Sequence, residues 1–185
     1  MARSKPTTRA QRENQRGSDA IALLKADHRQ VEEWFEQFEK ARNDDRKLEL
    51  AGKICNALKI HTMIEEEIFY PAYFEATENK EIHHEAEVEH EGAKRLIAEI
   101  EASGPDDDYY DAKVTVLSEM IKHHVKEEEK PGGMFSEARD SDMDLAELGE
   151  QLAARKDELE AQGEIPSPGA RRERGESMGT RSRRR

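Results

Sequence analysis

Four histidines, His28, His61, His90 and His124, fall one apiece in four stretches of helical periodicity, each where a bundle helix would face its core. Two of them carry a glutamate one turn later, Glu65 after His61 and Glu128 after His124. A buried imidazole is costly without a partner and a buried carboxylate more so; a multivalent cation supplies the partner both require. Imidazole and carboxylate donors suit iron, and bundle helices project such donors inward, so the constellation reads as a metal cage, best matched by two iron ions.

Spacing alone would not carry that reading. Five of the seven histidines have Glu four residues later (His28, His61, His83, His123 and His124), and in a chain with 42 acidic residues such pairs arise cheaply as surface contacts. Phase discriminates among them. His28, His61, His90 and His124 each replace an apolar residue in an otherwise regular inward stripe, once per helix. His84 and His123 fall off their stripes and read as boundary residues. His83 lies two turns before His90 and could line the end of the site, while Glu66 and Glu127 could orient imidazoles. Tyr70, Tyr73 and Trp34 read as packing, and Cys55 as structural.

The elements that must position these groups are helices. Ser18-Asp19 caps a first helix running to about Arg42, with Ile21, Leu24, His28, Val31, Phe35 and Phe38 inward. A second presents Ile54, Leu58, His61, Glu65, Ile68 and Ala72, and Pro71 is expected to kink or end it. A third, from near Lys80, shows His83, Ala86, His90, Ala93, Ile97 and Ile100, and stops at Ser103-Gly104-Pro105. A fourth follows the acidic cap Asp106-Asp107-Asp108, with Val114, Leu117, Ile121, His124 and Glu128, and breaks at Pro131-Gly132-Gly133. Short connections predict an all-α, up-down-up-down four-helix bundle. An additional C-terminal amphipathic helix, Met143 to about Gln162, offers Leu145, Leu148, Leu152 and Leu159 for packing across the bundle or for self-association.

The organisation expected is a basic arm (1–17), the bundle (18–140), the extra helix (141–163) and an Arg-rich tail (164–185), both ends disordered. The net charge of −12 conceals an asymmetry: residues 1–17 carry +4 and 166–185 carry +5, leaving −21 on the body. An acidic body repels nucleic acid, which leaves only the tails as candidates for contact with it. One cysteine argues against a disulfide framework and for a reducing compartment. No apolar run approaches a membrane span and the first residues lack a signal-like apolar core, so a cytoplasmic address is expected. Nothing in the sequence sets the oligomeric state.

Taken together, Asp27-His28, H-T-M-I-E-E-E-I-F-Y-P (61–71), E-H-E-G-A-K-R-L (89–96) and H-H-V-K-E-E-E (123–129) resemble the hemerythrin-like, or HHE cation-binding, family across roughly residues 19–140. The resemblance implies a bundle holding two non-haem iron ions, carboxylate- and oxo/hydroxo-bridged, that meets dioxygen. By position it makes His28, His61, His90 and His124 terminal ligands, and Glu65 and Glu128 the carboxylates. Oxygen carriers of the family have an H-x-x-x-H pair in the third helix; here its first member is Ala86. Either one iron gains an open or water-filled position, or an oxygen ligand such as Glu87 substitutes. Carriers also place the last carboxylate five residues after the histidine, where this chain has Glu129. Open coordination favours sensing of dioxygen, nitric oxide or iron over dedicated carriage. The alternatives are a diiron enzyme acting on peroxide or ferrous iron, and an interaction protein with a structural metal. Against a ferritin-like oxidase, the only inward Glu-x-x-His is Glu87 with His90.

Overall fold

The structure, a computed structural model, describes residues 19–163 and 165. The inward stripes become α1 (Ala20–Lys40), α2 (Asp44–Ile64), α4 (Lys80–Glu101) and α5 (Tyr110–Glu129), and the described residues include no strand. Side-chain caps start the first three: Asp19 accepts from the Ala22 N–H (2.7 Å), Asn43 from Arg46 (3.1 Å) and Asn79 from Ile82 (3.4 Å). Ahead of α5, Asp107 accepts instead from the Tyr109 N–H, 2.9 Å away, one residue before the helix begins. Helices α1 and α4 each pack on both α2 and α5, which closes a ring of four.

Pro71 does not end the second helix. A proline inside a regular helix lacks its N–H and collides with the carbonyl four residues back. Here a π turn, Glu65–Phe69, precedes it: the Tyr70 N–H reaches back five residues to the Glu65 carbonyl, and the chain continues as α3 (Tyr70–Thr77) with Pro71 in its first turn. The added residue rotates the buried face. Phe69, Tyr70 and Tyr73 are buried, whereas Ile68 and Ala72, expected inward, are half-buried.

Two apolar clusters result, separated by a polar layer. One contains Phe35, Phe38, Ile54, Leu58, Ile97 and Leu117. The other contains Leu24, Ile64, Phe69, Tyr73, Met134 and Phe135, among others. Cys55, in the first cluster, is buried, and burial pushes its thiol up to about 12.

Pro131-Gly132-Gly133 breaks the chain only briefly, because a short helix the sequence did not suggest, α6 (Met134–Asp140), follows at once. Gly133 is required there: a Cβ would lie 2.2 Å from the Glu127 carbonyl oxygen. That close approach folds α6 back onto the end of α5 and buries Met134, Phe135 and Ala138. Helix α7 (Leu145–Gln162) lies across α1, α2 and the π turn, burying Gly149, Leu152 and Leu159. Arg155 pairs with Glu67 of the π turn (2.7 Å) and Lys156 with Asp27 of α1. Beyond α7, the Ile165 N–H donates to Asn56 Oδ1 (2.8 Å) and its carbonyl accepts from the buried Lys59. Ile165, placed by the sequence in a disordered tail, is thus tied to α2; the other expected tail residues lie outside the described ones. Among the described residues, no helix is long and apolar enough to cross a membrane.

Candidate metal centre

Each inward stripe delivers its histidine to the polar layer, so the four imidazoles meet as two pairs. His28 and His61 approach with their Nε2 atoms 3.1 Å apart, and His90 and His124 with theirs 3.3 Å apart. The two glutamates knit the pairs together. Glu65 Oε2 lies 3.2 Å from His61 Nε2 and 3.3 Å from His90 Nε2. Glu128 Oε2 lies 3.4 Å from His28 Nε2 and 3.6 Å from His124 Nε2. Each carboxylate therefore touches one imidazole of each pair, the arrangement two bridging carboxylates need across two ions. All six side chains are buried.

The donor set fits a metal on its own chemistry. Neither oxygen of Glu65 has a hydrogen-bond partner although the residue is fully enclosed, and Glu128 Oε2 has none. Such orphaned carboxylate oxygens are costly unless a cation faces them. Burial raises the Glu128 carboxyl to about 8, with Glu65 adding repulsion. Burial alone would lower His61, yet Glu65 and Asp27 overcome it and hold the ring at about 10. Burial prevails at His28, which falls to about 4. A polar layer this divided between adjacent groups is one that cations would relieve.

Behind each ring stands a carboxylate at Nδ1: Glu129 for His28 (2.9 Å), Asp27 for His61 (3.5 Å), Glu66 for His90 (3.0 Å) and Glu89 for His124 (2.7 Å). At His28, His90 and His124 a hydrogen-bonded carboxylate favours the ring proton at Nδ1 and an Nε2 lone pair pointing inward; His61 Nδ1 makes no hydrogen bond, and Asp27 faces it as a charge. Three of the four are in turn held by cations: Glu129 by Lys25 (3.1 Å) and Arg29, Asp27 by Lys156, and Glu66 by Lys94 (2.7 Å). Of the two glutamates expected to orient imidazoles, Glu66 does so; Glu127 instead pairs with Lys130 at the surface. Glu129, considered as a ligand, stands behind His28.

Opposite Ala86 the structure differs from expectation. Glu87 points to solvent beside His83 and does not enter the centre. The Tyr70 hydroxyl does, 3.1 Å from His90 Nε2 and donating to Glu128 Oε1 at 3.2 Å. Its ring stacks on His90 at 5.3 Å. Burial, then Glu128 and Glu65, push this phenol well above its ordinary range, so it is a proton donor toward the carboxylate. Sequence reasoning assigned Tyr70 to packing because the π turn that aims it inward leaves no mark in hydrophobic period; only Pro71 hinted at an irregularity. Trp34 and Tyr73 remain outside the centre, Tyr73 donating to Glu137 at 2.6 Å.

A family model described as the hemerythrin HHE cation binding domain matches residues 19–131. A crystal structure of a hemerythrin HHE cation binding domain-containing protein from Mycobacterium kansasii superposes with a TM-score of 0.64 at 24% identity, covering 78% of this chain and 88% of that one. Its likeness concerns the fold. A protein of Nostoc sp. named as a DNA nickase is 26% identical over 110 residues, 58% of this chain, which spans 30% of that protein's length.

Proposed function

The chain belongs to the hemerythrin HHE cation-binding domain family, and from that premise we propose that it holds two non-haem iron ions and uses them to bind or sense dioxygen, with nitric oxide or iron itself as related signals. The carrying observation is the double bridge: Glu65 and Glu128 each face one imidazole of both pairs. His28 and His61 would hold one ion, His90 and His124 the other. The short connections between the long helices favour the up-down-up-down order.

Bound iron would supply reversible one-electron chemistry toward dioxygen; the protein's residues do the rest. The carboxylates hydrogen-bonded to His28, His90 and His124 favour the proton at Nδ1 of those rings. A gap of about 10 Å³ beside the rings is lined by Val31, Leu58, Thr62, Ile121 and Val125, so a diatomic molecule would enter along a mostly apolar wall only as these side chains give way. Tyr70 holds a proton at its hydroxyl oxygen, beside His90 and Glu128. That hydroxyl favours a second reading, a diiron enzyme acting on peroxide, because it places a hydroxyl proton beside His90 and Glu128 inside the centre.

The test is the optical spectrum of ferrous-loaded protein before and after dioxygen, with iron counted on the same sample. A visible charge-transfer band that fades when oxygen is removed, at two irons per chain, supports binding or sensing. A persistent diferric spectrum with turnover of peroxide supports the enzyme. Absence of iron and of any band overturns both.

A further inference from the structure

Outside the centre, His83, His84 and Glu87 at the start of α4 place one donor atom each within 4.8 Å of one another. The helical geometry explains why. Glu87 is four residues from His83 and three from His84, so its carboxylate rises between the two rings on a single face. His83 Nδ1 lies 3.8 Å from Glu87 Oε2, too far for a hydrogen bond but suitable for two donors sharing one ion at about 2.0–2.2 Å from each. The same nitrogen is buried without a hydrogen-bond partner. His83 is also held in place: its ring packs on Phe74 at 5.3 Å and on Tyr70 at 6.0 Å. The His84 ring stands 5.7 Å from it and is open to solvent. One donor is thus preorganised, and the other two side chains are free to close on an ion from outside.

We propose that His83, His84 and Glu87 form a surface site for a first-row divalent transition ion, separate from the buried centre. Two imidazoles and one carboxylate select such an ion over calcium or magnesium. The site adjoins the centre through Tyr70, whose ring touches His83 on one side and stacks on His90 at 5.3 Å on the other. An ion arriving from solvent would therefore bind one aromatic ring away from the buried pair. Glu87, the expected substitute for the imidazole missing at Ala86, acquires a different role here.

The experiment is calorimetric titration of Ni(II) into full-length, iron-loaded protein, with iron counted before and after. Wild type is expected to take up about one further ion. The His84→Ala/Glu87→Ala variant, altered only at exposed side chains, is expected to bind it at least about tenfold more weakly while keeping its iron. No saturable uptake by wild type, or identical uptake by the variant, overturns the proposal. Because iron is counted separately, failure of the buried centre and failure of the surface site give different results.

Discussion

The two imidazole pairs are matched in what they point inward and unlike in what lies against them. His28 stacks on Phe135 of α6, with ring planes 9° apart at 5.8 Å, and its partner His61 is backed by an aspartate that α7 holds through Lys156. His90 stacks on Tyr70, whose hydroxyl enters the centre. One pair is therefore closed by apolar surface and by helices beyond the family match, the other by a phenol delivered by a π turn. Equal donors with unequal flanks mean that, under the proposed two-ion reading, the two halves would differ in what surrounds each ion rather than in what holds it.

The largest expected effect removes the comparison altogether. If the proposed two-ion reading holds, Glu65→Ala or Glu128→Ala would take a donor from both ions at once and iron content should fall from two toward none, whereas His28→Ala should spare part of the second site. Metal analysis after desalting distinguishes these; equal loss in all three variants would show that the halves are not separable. Next comes the flank of the first pair. Phe135→Ala should cost about 3–5 kcal/mol, and Gly133→Ala about 1–3 kcal/mol by forcing α6 away from the α5 carbonyls, both read by denaturant unfolding of the metal-free protein.

The third prediction sharpens the contrast within one pair. In metal-free protein His61, raised to about 10, contributes stability that is fully present below pH 6.5 and lost as pH rises through about 10. His28, lowered to about 4, has the opposite sign: its contribution is present above pH 6.5 and lost as pH falls through about 4. Imidazole NMR titration of the metal-free protein should show the two rings moving apart in this way. Iron must displace the His61 proton, so its affinity should rise with pH and binding should release protons. Smallest is Lys156→Ala, which acts on His61 only through Asp27 and should weaken iron binding by less than about tenfold, a loss restored by Lys156→Arg. A larger loss than that from Tyr70→Phe would reverse the ranking of the two flanks.

The readable and unreadable parts of this molecule divide along the same line. Hydrophobic phase placed His28, His61, His90 and His124 in the core because each interrupts a regular stripe; only the family resemblance, not the phase, marked Ala86 as a missing donor. It failed from Glu65 onward, where one extra residue in the π turn exchanges Ile68 and Ala72 for Phe69 and Tyr73 and turns Tyr70 inward. Period analysis assumes a constant angle per residue, and a single i→i+5 bond breaks that assumption. Helix α6 escaped notice for a different reason: Pro131-Gly132-Gly133 signals a stop equally well for a long loop or a sharp return. Of the carboxylates behind the rings, Asp27 and Glu89 stood within the stretches that carry the resemblance but received no role, since an acidic residue beside an inward position looks like any solvated one in so acidic a chain.

The double bridge also sets the order in which the protein can be made. Glu65 and Glu128 each serve both pairs, and His28 meets Glu129 across 101 residues. A chain emerging from the ribosome exposes His28 and His61 long before Glu128 exists to close either half. A product ending before α5 would hold His28, His61 and Glu65 but lack both His124 and Glu128, so the proposed two-ion cage cannot be complete until α5 is made. The two apolar clusters give the bundle a core that does not depend on metal, so the fold itself can bring the last donors of the cage to the first.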